Sequence, residues 1–318
     1  MNFLNTFITV LLVVVYAIPG YILVKFHAIK EEHIKPFSTL LMLVCQPMLT
    51  IYAFQKIDHS LETTEMMGMG FGFAIVLITS VTLAVYFAFH RKSDDVKYRV
   101  ASICSGFGNV AFLGVPIMEG VMPEFTEGPM LCTVYVTAMT LLGWTLACVL
   151  ITKDKKYLSI KRIIINPATL SLIVALILYF CNLHVLDIPY AVLAKGLDTT
   201  ITLLGKMSTP LCMMILGMRL ATCGFRTIFL QPLTYVVLVL RQIIVPLLAF
   251  GLYYLLPLDV DFKIAMVVLA ACPVAQVAQN FTEMLGQGQK ETASMVILST
   301  MSSVLTIPLI SMLLAYMA

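Results

Sequence analysis

The chain has 318 residues, 60% of them hydrophobic and 12% charged, with a formal charge of +3 and a mean hydropathy of +0.97. That balance is far too apolar for a soluble domain of this length and marks an integral membrane protein. It also argues against nucleic acid as a partner, because the small positive excess is divided among short loops in which both signs occur.

Runs of about 20 apolar residues, the length at which a helix crosses a bilayer, predict an all-α fold of ten transmembrane helices. They cover roughly residues 3–25, 36–55, 66–90, 98–122, 128–152, 163–183, 192–219, 229–256, 262–284 and 291–317. Span one has no basic leader and no small-residue cleavage site, so it reads as a span and not a removable signal. Span two places Gln46 beside Pro47. Span three opens on Gly68, Gly70 and Gly72, which follow no strand and read as close helix packing, not a phosphate loop. Span four is interrupted at Gly106-Phe107-Gly108-Asn109 and carries Pro116 further on. Span seven contains Lys206 and Pro210, and span eight Arg241 and Pro246. Span nine is interrupted at Cys272-Pro273-Val274-Ala275-Gln276, with Gln279 and Asn280 just beyond.

Interrupted spans in corresponding positions of two halves are a pointer to a transporter's central binding site. Gly108 and Pro273 lie 165 positions apart. A helix that loses backbone hydrogen bonds inside lipid must satisfy the freed groups with something, and Asn109, Gln276, Gln279 and Asn280 cluster at these two breaks. A similar offset recurs elsewhere. Leu40 and Leu41 precede Pro47 by the same intervals at which Leu203 and Leu204 precede Pro210, and Asn5 matches Asn166 near the start of spans one and six. The expected organisation is a single membrane domain of two five-helix repeats, residues 1–157 and 158–318. An odd number of spans per repeat inverts the second relative to the first.

Basic residues set the expected orientation. The odd-numbered connections carry 15 lysines and arginines and the even-numbered ones three, Lys56, Lys195 and Lys263. By the positive-inside rule the odd connections are cytoplasmic and both termini lie outside a cell membrane.

Two cations fall deep in the spans. Lys206 and Arg241 sit near the middle of theirs, roughly 18 to 21 Å from the entry surface at 1.5 Å per residue. Such a charge must face protein, water or an anion. Glu119, Asp198 and Glu283 all lie nearer span ends, so the missing partner is either backbone carbonyls around Pro210, Pro246 or the breaks, or an anionic substrate. Asn109 and Gln276 offer amide groups where half-helix N-termini direct positive dipole ends inward, a carboxylate site. Gln46 either lines the same cavity or packs helices.

Other chemistry is not signalled. The eight scattered cysteines read as small buried apolar residues, with no metal site, disulfide framework or cofactor. No Ser/His, Cys/His or paired-carboxylate arrangement lies at membrane depth, so the chain is not read as an enzyme. No Walker-type glycine loop suggests ATP driving.

Three runs carry a resemblance. Asn109 to Pro116, Pro210 to Leu220, and Ala271-Cys272-Pro273 followed by Gly286-x-Gly-x-x-Glu-Thr-Ala-Ser294 and Thr306-Ile307-Pro308 resemble the auxin efflux carrier family in its short-looped prokaryotic form, over essentially the whole chain. The resemblance implies two inverted five-helix repeats with spans four and nine unwound and crossing at mid-membrane. It also implies a scaffold of spans one, two, six and seven against which the other six move. Plant members usually have proline at the first crossover where this chain has Gly108, which permits a break that Pro273 enforces.

The expectation is a secondary active or facilitative transporter of a small organic anion, working by alternating access. Asn109, Gln276, Arg241, Lys206, Gln46, Gln279 and Asn280 are its candidate binding residues, and Gly106, Gly108, Pro116 and Pro273 shape the crossover. The resemblance implies malate- or malonate-like dicarboxylates or auxin-like weak acids. A proton or sodium ion is a candidate for coupling, and a homodimer is a candidate assembly. The alternatives are a sodium-coupled carrier like the bile-acid symporters and a membrane sensor that binds without translocating.

Overall fold

The computed structural model describes residues 3–154, 156, 165, 167–223 and 228–314. Asn166 and the boundary between residues 157 and 158 lie outside them. Helix accounts for every regular element among the described residues, with no strand.

Seven helices are long and apolar enough to cross a membrane: α1 (Phe3–Lys25), α2 (Glu31–Phe54), α3 (Leu61–Ala88), α6 (Gly128–Thr152), α8 (Ala191–Thr222), α9 (Pro232–Tyr254) and α12 (Gln289–Leu314). Between them lie shorter pieces. α4 (Val96–Gly106) is followed by α5 (Val110–Val121), α7 is Pro167–Phe180, and α10 (Val260–Ala271) is followed by α11 (Gln276–Leu285). With 11 residues α4 is about 16 Å long, near half the hydrocarbon thickness. Consecutive short helices therefore stop and restart within one apolar layer.

Burial follows this division. Residues 99–106 of α4 and 264–271 of α10 are buried without interruption; in α10 that stretch is apolar all round, and in α4 the buried Arg99, Ser102 and Ser105 donate to backbone carbonyls. α1 instead exposes Leu4, Ile8, Leu11, Leu12 and Val15, an outward apolar face suited to lipid. α1 and α8 touch backbone to backbone. A Cβ at Gly20 would strike the Met214 carbonyl, and one at Gly217 would strike the Ala17 carbonyl. Of the three glycines opening α3, only Gly70 meets a neighbour, the Leu131 side chain.

Prolines explain most local irregularities. Five-residue wide turns occupy Leu41–Cys45, Val110–Gly114 and Leu240–Ile244, each ending two residues before a proline: Pro47, Pro116 and Pro246. Proline lacks the N–H for the carbonyl four residues back, and the helix widens to accommodate it. At Pro116 the orphaned acceptor is the Phe112 carbonyl, to which Thr209 Oγ1 of α8 donates at 2.8 Å. The fourth wide turn, Gly143–Ala147 in α6, has no proline; there the Phe281 ring lies against Gly143.

Candidate functional site

The two breaks meet. Phe107 and Cys272 adopt extended backbone, and Gly108 pairs with Val274 in an antiparallel bridge. Asn109 N–H donates to the Pro273 carbonyl at 2.7 Å, and Ala275 N–H donates to the Phe107 carbonyl at 2.9 Å. Each break thus supplies the hydrogen-bond partners that the other lost, which is how unwound backbone becomes tolerable at membrane depth. Val274 N–H goes to Ser299 Oγ of α12 at 3.0 Å.

Two further carbonyls at the breaks are taken by Arg241. Its Nε donates to the Cys272 carbonyl at 2.9 Å and its Nη1 to the Gly106 carbonyl at 3.2 Å. The side chain is fully buried, with the Tyr135 hydroxyl in its neighbourhood. Nη2 makes no hydrogen bond among the described residues and points at Gly108, where a Cβ would collide with the guanidinium. Gly108 therefore does more than permit a break. The charge on α9 leaves no room for any other residue there.

Asn109 is 2% exposed, and its Oδ1 has no hydrogen-bond partner among the described residues. A buried amide oxygen left unpaired is costly and singles out a place for a donor. Gln276 and Gln279 are buried as well; Gln279 Nε2 donates to the Gln289 carbonyl at 3.4 Å. Asn280 Nδ2 donates to Met42 Sδ at 3.2 Å.

A cavity of about 100 Å³ lies between α2, α6, α7 and α11, lined by Gln46, Thr140, Trp144, Asn280, Phe281 and Val277 among others. A second, of about 10 Å³, is lined by Gln46, Thr50, Ala111, Val115, Cys132 and Thr133, room for about one water. Gln46 lines both. Asn109 and Gln276 line neither, but Ala111 and Val277, two residues and one residue further on, do.

Lys206 stands apart from this group. It is exposed, with Nζ 5.4 Å from the centre of the Tyr52 ring. Tyr52 donates its hydroxyl to Glu119 Oε1 at 3.0 Å, and Lys56 Nζ lies 3.3 Å from the same oxygen. The acidic group nearest in this network is therefore Glu119 at the end of α5, a residue the sequence reading set aside for its position near a span end. Tyr52 and Lys56 are four residues apart on one turn-related face, the signal that could have found the cluster. Pro116 sits in the second turn of α5 and Pro273 in the break itself. Among the described residues no three His, Cys, Asp or Glu side chains converge as a metal site.

Two broken apolar helices hydrogen-bonded at their breaks, inside an all-helical chain with seven membrane-length helices, are the architecture of a membrane transporter. The chain belongs to the membrane transport protein family, that of the auxin efflux carriers, whose model matches residues 5–311. It is similar to an uncharacterized transporter of Methanocaldococcus jannaschii, 25% identical over 94% of this chain and 96% of that protein. It is also similar to an uncharacterized transporter of Methanothermobacter thermautotrophicus, 28% identical over 99% of this chain and 100% of that protein. The chain is a multi-pass membrane transporter.

Proposed function

We propose that this transporter carries a small organic anion by alternating access, as a secondary active or facilitative carrier, with the anion held where the two helix breaks meet. The substrate class is a malate- or malonate-like dicarboxylate or an auxin-like weak acid. Its carboxylate faces the N-terminal ends of α5 and α11, which start at the crossing and carry positive partial charge. The observation that carries this reading is that those two helix N-termini start side by side at the Gly108–Val274 bridge; the Asn109 amide beside them offers its N–H to the carboxylate, while its unpartnered oxygen accepts from a substrate hydroxyl or protonated carboxyl. Gln276 contributes from the other break. Gln46, Asn280 and the cavity of about 100 Å³ form the way in from one side.

The arrangement supports ten spans in two inverted repeats, residues 1–157 and 158–318, with α4–α5 and α10–α11 as the crossing fourth and ninth spans. The backbone contact of α1 with α8 fits a scaffold made of spans one, two, six and seven. The loop charges favour cytoplasmic odd connections and outward termini in the cell membrane. Arg241 acts on the anion through the crossover. Lys206 lies in the network of Tyr52, Glu119 and Lys56, at the contact of α2 and α8 with α5.

Thermal unfolding of the purified protein across a panel of mono- and dicarboxylates tests the reading. At a concentration 100-fold above Kd, a bound carboxylate stabilises by about 2.7 kcal/mol, and Asn109→Ala is expected to abolish that shift. A protein indifferent to every carboxylate would sink the proposal.

A further inference from the structure

The geometry points to Arg241 as the resident cation of the crossover: it neutralises the carbonyl ends of α4 and α10, leaves the amide ends of α5 and α11 positive, and so keeps the anion site charged without a co-bound metal ion. The last step rests on the anion-carrier reading above. The first two stand without it.

Each helix end carries about half a unit charge. Four ends meet at this crossing, two carbonyl ends of α4 and α10 and two amide ends of α5 and α11, and alone they cancel to about zero. An anion arriving at such a crossing would meet no net attraction. Unwound carbonyls aimed at one point are also how transporters coordinate sodium. Here that point is filled by a side chain of the same protein. Arg241 Nε and Nη1 reach the Cys272 and Gly106 carbonyls at 2.9 and 3.2 Å, and both acceptors lie at helix C-termini where no intrahelical N–H remains. The guanidinium adds about one positive charge to the four ends, and it lies on their negative side.

The position is built in from both breaks. Gly108 is the residue that a Cβ would drive into Nη2, so the first break is shaped to the cation that both breaks bind. Arg241 has no carboxylate partner among the described residues, and it sits in the widened turn before Pro246. Next to Gly108, the Asn109 side chain stands where α5 begins, with its oxygen open to a donor. Arg241 is thus a positioning residue. It holds two half-helices together and sets the charge of a site it does not itself contact.

The test compares thermal unfolding of the purified protein in choline chloride and in sodium chloride at equal ionic strength, with and without malonate. Wild type is expected to unfold at the same temperature in both salts. Arg241→Ala is expected to lose about 5 °C or more, with part of the loss restored by millimolar guanidinium that leaves wild type unmoved. Arg241→Lys, which keeps the charge without the two-pronged geometry, should fall between them; it and the wild-type salt comparison carry the test if Arg241→Ala does not fold. Stabilisation of wild type by sodium over choline, or an Arg241→Ala protein as stable as wild type, would overturn the inference. Malonate stabilising wild type equally in both salts supports it, and malonate acting only in sodium overturns it while leaving the anion reading intact. If malonate does nothing in either salt while the cation arm behaves as expected, the anion reading fails and the resident cation stands.

Discussion

Two buried guanidinium groups each hold carbonyls that no helix satisfies. Arg99 donates Nε to the Ile151 carbonyl at 3.0 Å and Nη1 to the Ser93 and Asp94 carbonyls at 2.7 and 2.9 Å. It therefore joins the start of α4 to the end of α6. Arg99→Ala should cost about 1–3 kcal/mol in unfolding experiments, and Arg99→Lys should recover little of it, because one ammonium cannot reproduce the fork. At Gly108 even a methyl group is too much. Gly108→Ala is expected to destabilise by about 1–3 kcal/mol through overpacking, and by less when Arg241→Ala is present, a coupling that a double-mutant cycle reads directly. The sequence alone made Gly108 look permissive, since glycine tolerates a break. Its obligate character comes from a side chain 133 positions later, and no local pattern carries that information. Arg241 was legible as a buried cation in need of a partner, and backbone carbonyls at the breaks were one of the partners open to it.

At the scale of elements, punctuation by glycine and proline was the readable part. Pro273 cannot continue a hydrogen-bonded helix, and the breaks fall where Gly106, Gly108 and Pro273 stand. Pro47, Pro116 and Pro246 each announce a disturbed turn, although proline spacing does not say that the disturbance takes the form of a widened turn. Nor does it say who fills the orphaned carbonyl. Thr209 does so for Pro116, across 97 residues. Thr209→Val should cost about 1–3 kcal/mol, the penalty of a buried acceptor left unpaired, whereas Thr209→Ser keeps the bond. In a Pro116→Ala background the helix can supply its own N–H to Phe112, so the cost of Thr209→Val should shrink markedly. Equal costs in both backgrounds, measured by thermal unfolding, would contradict this account of the turn.

For the whole molecule, apolar composition made the membrane class plain, and the matched breaks made a central crossing a reasonable expectation. Depth counted along the chain was a poorer guide to position in space. By residue count Lys206 and Arg241 are equally deep, yet one is exposed beside Tyr52 while the other is sealed at the crossover. The difference is rotational, set by which helix face packs inward, and α8 turns its Lys206 face away from the breaks. The small cavities at Gln46 likewise depend on how α2 lies against α5, α6 and α11, which only the assembled helices define. The proposed carrier binds its anion at the crossing through Asn109 and exchanges it between the two sides of the membrane. Counterflow of radiolabelled malonate or malate into proteoliposomes tests that claim most directly. Wild-type protein is expected to exchange the labelled anion, and Asn109→Ala, folded and equally reconstituted, to exchange it at least about tenfold more slowly, the loss expected for about 1.4 kcal/mol of binding. No exchange of any mono- or dicarboxylate by wild type, or undiminished exchange by Asn109→Ala, would contradict it.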